Sequence, residues 1–164
     1  MHRRLLPFVI GAIFLCGAAA ASARPVVTLH LTGTLVQQRD GRTTERSVEG
    51  LVLKAGDLVR YTIAATNSGD LAARKLVPVG PIPKATSFVP GSARGDDATP
   101  QFTLDGKTWS AKPMLVVKTA NGSVRKPADP ALYRAVRWIA RGTLAPRKRE
   151  VFSYDVRVNG HSIK

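Results

Sequence analysis

From Ala55 to Ser92 the chain alternates in a way that only β-structure satisfies. Val59, Tyr61, Ile63 and Ala65 share one parity, while Arg60, Thr62 and Ala64 take the other. A period of two puts the first set on one face of a pleated strand and the second set on the opposite face. Asn67-Ser68-Gly69-Asp70 then ends the strand, because these residues bond their own backbone or tolerate left-handed conformations. Pro78, Pro81 and Pro83 follow. Each removes an amide donor, so Lys75 to Pro83 can lie only at a sheet edge or cross between sheets. Prolines at an edge also block its pairing with a foreign sheet.

The rest of the chain agrees. Val27, Leu29, Leu31, Gly33 and Leu35 fall on one parity and His30, Thr32 and Thr34 on the other. Asp40-Gly41 is a favourable hairpin pair, and Val48 to Leu53 reads as a second short apolar strand before the turn at Ala55-Gly56-Asp57. Asp105-Gly106 predicts a hairpin between Gln101–Leu104 and Lys107–Ser110, and Asn121-Gly122 another after Met114–Thr119. Ala128 to Leu132, with Pro127 and Pro130, reads as a polar corner or one helical turn. Val136, Trp138 and Ala140 oppose Arg137, Ile139 and Arg141; Phe152, Tyr154, Val156 and Val158 oppose Ser153, Asp155 and Arg157. No window sustains a helical period. The expected fold is all-β, an immunoglobulin-like antiparallel β-sandwich of about eight or nine strands.

Residues 1–23 stand apart as a secretory signal peptide. Arg3-Arg4 forms a basic head, Leu5 to Ala21 is almost wholly apolar, and Ala21-Ser22-Ala23 supplies the small-x-small site that a signal peptidase accepts. Cleavage is expected between Ala23 and Arg24; retention as an amino-terminal anchor is the alternative. The single cysteine, Cys16, leaves with the leader. The mature chain then has no thiol for a disulfide, metal site or nucleophile. Residues 24–164 form one domain, expected to be soluble in the periplasm or outside the cell, with no stable membrane anchor.

Several phrases together resemble a known group: GDLVRYTIAATNSGD, the PIPKATSFVPGSA corner, TLDGKTW, YRAVRWIARGTLAP and the closing FSYDVRVN. They resemble the domain-of-unknown-function-eleven family, immunoglobulin-like repeats of bacterial and archaeal envelope proteins, over most of Ala55 to Asn159. The resemblance implies an extracytoplasmic β-sandwich and carries no active site. Two departures bear on function. There is one copy, which argues against an adhesive stalk, and Leu144-Ala145-Pro146-Arg147 replaces the more usual Pro-Gly turn.

Charge is the remaining constraint. The full chain has 25 Lys and Arg against 11 Asp and Glu, a net charge of +14. Such a surface attracts envelope phosphates, acidic glycans and extracellular nucleic acid. Trp109 follows a turn, and with Arg137, Arg141, Arg147, Lys148 and Arg149 it is the candidate aromatic-basic patch for a polyanion. Trp138, Tyr61, Phe152 and Tyr154 sit on inward parities and are read as core. Neither His30 nor His161 has metal-ligand spacing around it, and Asp96-Asp97 lacks the repeated acids of a calcium loop. Ser92, Ser110 and Ser123 have no nucleophile-elbow context. The expectation is therefore no catalytic, metal or cofactor site, no cofactor and no small-molecule substrate. The partner is an envelope protein, or alternatively a surface polyanion.

Overall fold

The computed structural model describes residues 23–120 and 122–160. Residues 1–22, with Cys16, and Asn121 and His161 lie outside the described residues. Thirteen strand segments follow in order: β1 (Val27–Arg39), β2 (Arg42–Ser47), β3 (Leu58–Asn67), β4 (Ala73–Arg74), β5 (Val79–Pro81), β6 (Thr86–Phe88), β7 (Arg94–Gly95), β8 (Ala98–Thr103), β9 (Met114–Thr119), β10 (Gly122–Pro127), β11 (Ala135–Ala140), β12 (Thr143–Leu144) and β13 (Arg149–Val158). One 3-10 turn, Pro130–Leu132, is capped by the Asp129 carboxylate, which accepts from the Ala131 amide. Eight of the segments are six residues or longer, and five are two or three residues long.

All ladders are antiparallel. The larger sheet runs β2-β1-β3-β13-β6, with β7 also on β13, and the smaller runs β5-β11-β8. β12 pairs with β4, and β9 pairs with β10 alone. The two main sheets face each other in a sandwich-like arrangement. Trp138 of β11 lies 5.5 Å from Phe152 and 6.0 Å from Tyr154, both on β13. Val59, Val136 and Val156 close the same core, all essentially without exposure. The Tyr154 ring stacks on Tyr61 and its hydroxyl donates to the Pro81 carbonyl. Burial pushes that phenol well above the ordinary tyrosine range. Gly80, opposite Val136, lies where any Cβ would strike the Tyr154 ring.

Several sequence expectations change here. Val48 to Leu53 is not a strand. It is an irregular connection from β2 to β3, with Val48 and Leu53 packed against the core. β2 takes its place, a strand of six exposed polar residues. Asp40 and Gly41 both have positive φ, 50° and 74°, the geometry that matches hairpin twist. Asp105-Gly106 turns the chain with only one bridge, Phe102 to Ser110. Leu29 and Leu31 point to the inner face but remain 49 % and 42 % exposed, because the three-stranded sheet is too narrow to cover β1.

Candidate functional site

Asp105 builds the loop that carries Trp109. Its Oδ1 accepts from the Lys107 and Thr108 amides and the Thr103 hydroxyl, and its Oδ2 accepts from the Thr108 hydroxyl. Those donors, led by the Thr108 amide, hold the carboxyl far below its ordinary range. Thr103 itself is fully buried, and its hydroxyl also accepts from the Gly106 amide at 2.9 Å. The loop delivers a half-buried Trp109 to the outer face of the smaller sheet, where the Arg137 guanidinium lies 4.7 Å from its ring centroid. Arg137 is held from its other side by Gln101, its cross-strand neighbour. Gln101 Oε1 accepts from Nε at 2.9 Å and Nη2 at 2.7 Å. A planar cation fixed over an indole presents both a stacking surface and a charge.

The other four basic candidates do not join this pair. Trp138 points into the core, so its neighbour Arg137 faces out from the smaller sheet. Phe152 and Tyr154 also point in, so Arg149 faces out from the larger sheet, on the opposite side of the molecule. Arg141 pairs with Asp97 and Arg147 with Asp70, each at 2.9 Å and well exposed. Exposed pairs of this kind contribute little to stability. Arg147, Lys148 and Arg149 are all exposed at the turn into β13. Lys148 and Arg149 border a shallow depression with Asp96, Asp97 and Glu150. Burial, with Asp96 and Asp97 nearby, raises the Glu150 carboxyl above its usual range. The six-residue patch expected from sequence thus resolves into an aromatic-basic pair and a separate mixed-charge turn.

Among the described residues no cluster of three acids or histidines could hold a metal ion. Ser92 is structural: its hydroxyl donates to the Val89 carbonyl and accepts from the Asp155 amide. Ser110 Oγ accepts from the Lys112 amide, and Ser123 and His30 are exposed on strands. Ala23 and Arg24 are exposed ahead of β1.

Two features went unread in the sequence. Arg60 spans the outer face of the larger sheet, with Nε and Nη2 on the two Asp155 oxygens at 2.8 and 3.1 Å and Nη1 on Glu45 at 2.7 Å. Its parity was legible; its partners, 15 and 95 residues away, were not. The second is the β9–β10 arm. Met114, Val116 and Val124 are 38 %, 65 % and 55 % exposed on it, beside the exposed bases Lys118, Arg125 and Lys126. The chain matches no protein-family model, no curated protein and no solved structure.

Proposed function

We propose that the protein is a non-catalytic, exported domain of the cell envelope, an immunoglobulin-like sandwich that works by binding another envelope protein. The observation that carries this reading is the β9–β10 arm. A two-stranded hairpin is marginal in water on its own, and this one pairs with no other strand among the described residues while exposing three apolar side chains. The register puts Met114 and Val116 on one face of the ribbon with Lys118 and Arg125, and Val124 on the other with Lys126. On each face, apolar side chains beside bases suit an apolar surface with an acidic rim. The leader sequence and the envelope-repeat phrases support the compartment.

The test is capture of envelope proteins by the purified exported protein at low and high salt. One specific protein held at both salts, and lost with Val116→Ser/Val124→Ser at unchanged melting temperature, is the expected result. No capture, or capture indifferent to the double substitution, overturns the reading.

The Trp109–Arg137 pair favours a second reading, a polyanion-binding module. Binding to acidic glycan, envelope phosphate or nucleic acid should then collapse with salt, because counterion release drives it. Trp109→Ala should weaken it separately from charge removal at Arg141, Arg147, Lys148 and Arg149.

A further inference from the structure

The amino-terminal half of β1 is an open sheet edge. β2 pairs with β1 only from Thr34 to Arg39, whereas β3 pairs with it from Val27 to Val36. The direction of each backbone group follows from two bonds. The Val26 carbonyl accepts from the Ser68 amide on the β3 side, while the Gly33 carbonyl turns the other way and accepts from the Val48 amide. Backbone direction alternates along a strand, so Val27, Leu29 and Leu31 aim their N–H and C=O groups away from β3. No strand among the described residues pairs with them. The same residues carry the apolar side chains that the smaller sheet leaves uncovered, Leu29 and Leu31.

The opening has defined ends. At one, Pro25 has no N–H to give. At the other, the Gly33 carbonyl is already occupied by Val48. Leu29 lies midway between them. We propose that this edge binds a second copy of the same chain, β1 against β1 in antiparallel register, with a two-fold axis at Leu29.

That register pairs Val27 with the second copy's Leu31, and Leu29 with its counterpart. It brings all three outward-aimed residues of each strand into hydrogen-bonded pairs. Shifting the register by two residues in either direction loses one of those pairs. In the unshifted register Pro25 falls opposite Gly33, so the residue with no donor meets the acceptor already in use. On one face Leu29 covers Leu29 and Val27 covers Leu31; on the other Thr28 meets His30. An isologous contact requires this kind of self-complementarity.

Charge restricts a contact between copies to a place like this one. Two molecules of the same strongly positive charge repel over most of their surface. Pro25 to Gln38 has no Lys, Arg, Asp or Glu, the longest such stretch after the leader. Native edges are usually guarded by a charge, a proline or a bulge, and from Val26 to Thr32 this one has no charge and no proline. The contact is small and should be weak.

The test uses the exported protein, residues 24–164, which has no thiol of its own. Sedimentation at about 100 µM should give a dimer, with Leu29→Lys monomeric at the same melting temperature. A mixture of Thr28→Cys and His30→Cys chains should form the disulfide-linked pair under mild oxidation, and neither single variant should do so alone. A monomer at every concentration overturns the proposal. So does a dimer that persists with Leu29→Lys or fails to cross-link. Either result leaves the β9–β10 capture experiment untouched, because that arm contributes nothing to this contact.

Discussion

At the scale of single residues, two side chains connect the most structure. Asn67 is fully buried and makes four side-chain hydrogen bonds. Its Oδ1 accepts from the Val26 and Gly69 amides, and its Nδ2 donates to the Leu71 and Leu144 carbonyls. One amide thus ties the entry to β1, the turn after β3 and the strand β12. Asn67→Ala strips partners from four backbone groups, and the bonds to Gly69 and Leu144 are buried. A buried group left unpaired costs about 1–3 kcal/mol, so the variant should lose about 3–5 kcal/mol. Urea unfolding checks it: the midpoint should fall at constant slope. Asn67→Asp should be at least as damaging at neutral pH, since a second acceptor would face two carbonyl oxygens. Trp138 is held differently. It has no exposure and its indole Nε1 meets no acceptor, so shape alone fixes it between the sheets. Trp138→Ala should cost about 3–5 kcal/mol through the cavity it leaves, and an unchanged melting curve would remove Trp138 from the core.

At the scale of elements, legibility in the sequence tracks burial of one face. β3, β11 and β13 each have a covered face, and their alternation announced them. β2 has none: Arg42 to Ser47 is exposed throughout, so no periodicity marks it, and only the Asp40-Gly41 turn beside it could have. In Val48 to Leu53 only Val48 and Leu53 pack on the core while Val52 is 92 % exposed, so its apolar residues mimic a strand without forming one. The Asp105 loop was misread for a related reason. A hairpin signal shows that the chain turns; what the loop's amides bond to is a question of side-chain placement. Asp105 answers it, and its hydrogen bonds make the loop's stability depend on pH in the acid range. Its folded-state pKa lies below the unfolded value of about 3.9. The unfolded chain therefore binds more protons in that window, and stability rises with pH there. The contribution is present above the unfolded pKa and disappears as pH falls through the folded one. Asp105→Asn removes this proton linkage. Melting temperatures measured from pH 5 down to pH 2 should drop less steeply for the variant than for the parent, and parallel curves would refute the role given to the loop. The candidate aromatic-basic site was only partly legible because residues close in sequence, such as Arg137 and Arg149, can face opposite sides of a sandwich.

At the scale of the whole molecule, cohesion is graded. β3 pairs with β1 over ten residues and with β13 over nine, and its inward side chains Val59, Ile63 and Ala65 are buried. The β9–β10 arm has only its own ladder of six pairs and no residue in the core cluster. Protein segments open independently where few buried contacts bind them to the rest. Amides of β3 and β13 should therefore exchange with solvent only through global unfolding, and those of β9 and β10 should exchange at least ~100-fold faster. Hydrogen exchange read by mass spectrometry resolves the two regions directly. Arm amides as slow as those of β3 would mean that the arm is packed, and the interaction reading would lose its basis. Fast exchange in the arm has a functional consequence. A partner that docks there can order the hairpin without disturbing the core, so its binding should slow exchange in β9 and β10 while leaving β3 unchanged. Pairing at the β1 edge should instead slow the amides of Val27, Leu29 and Leu31, whose N–H groups face outward. One exchange experiment, run with whatever protein the capture yields and across protein concentration, separates the two surfaces by which strand it protects.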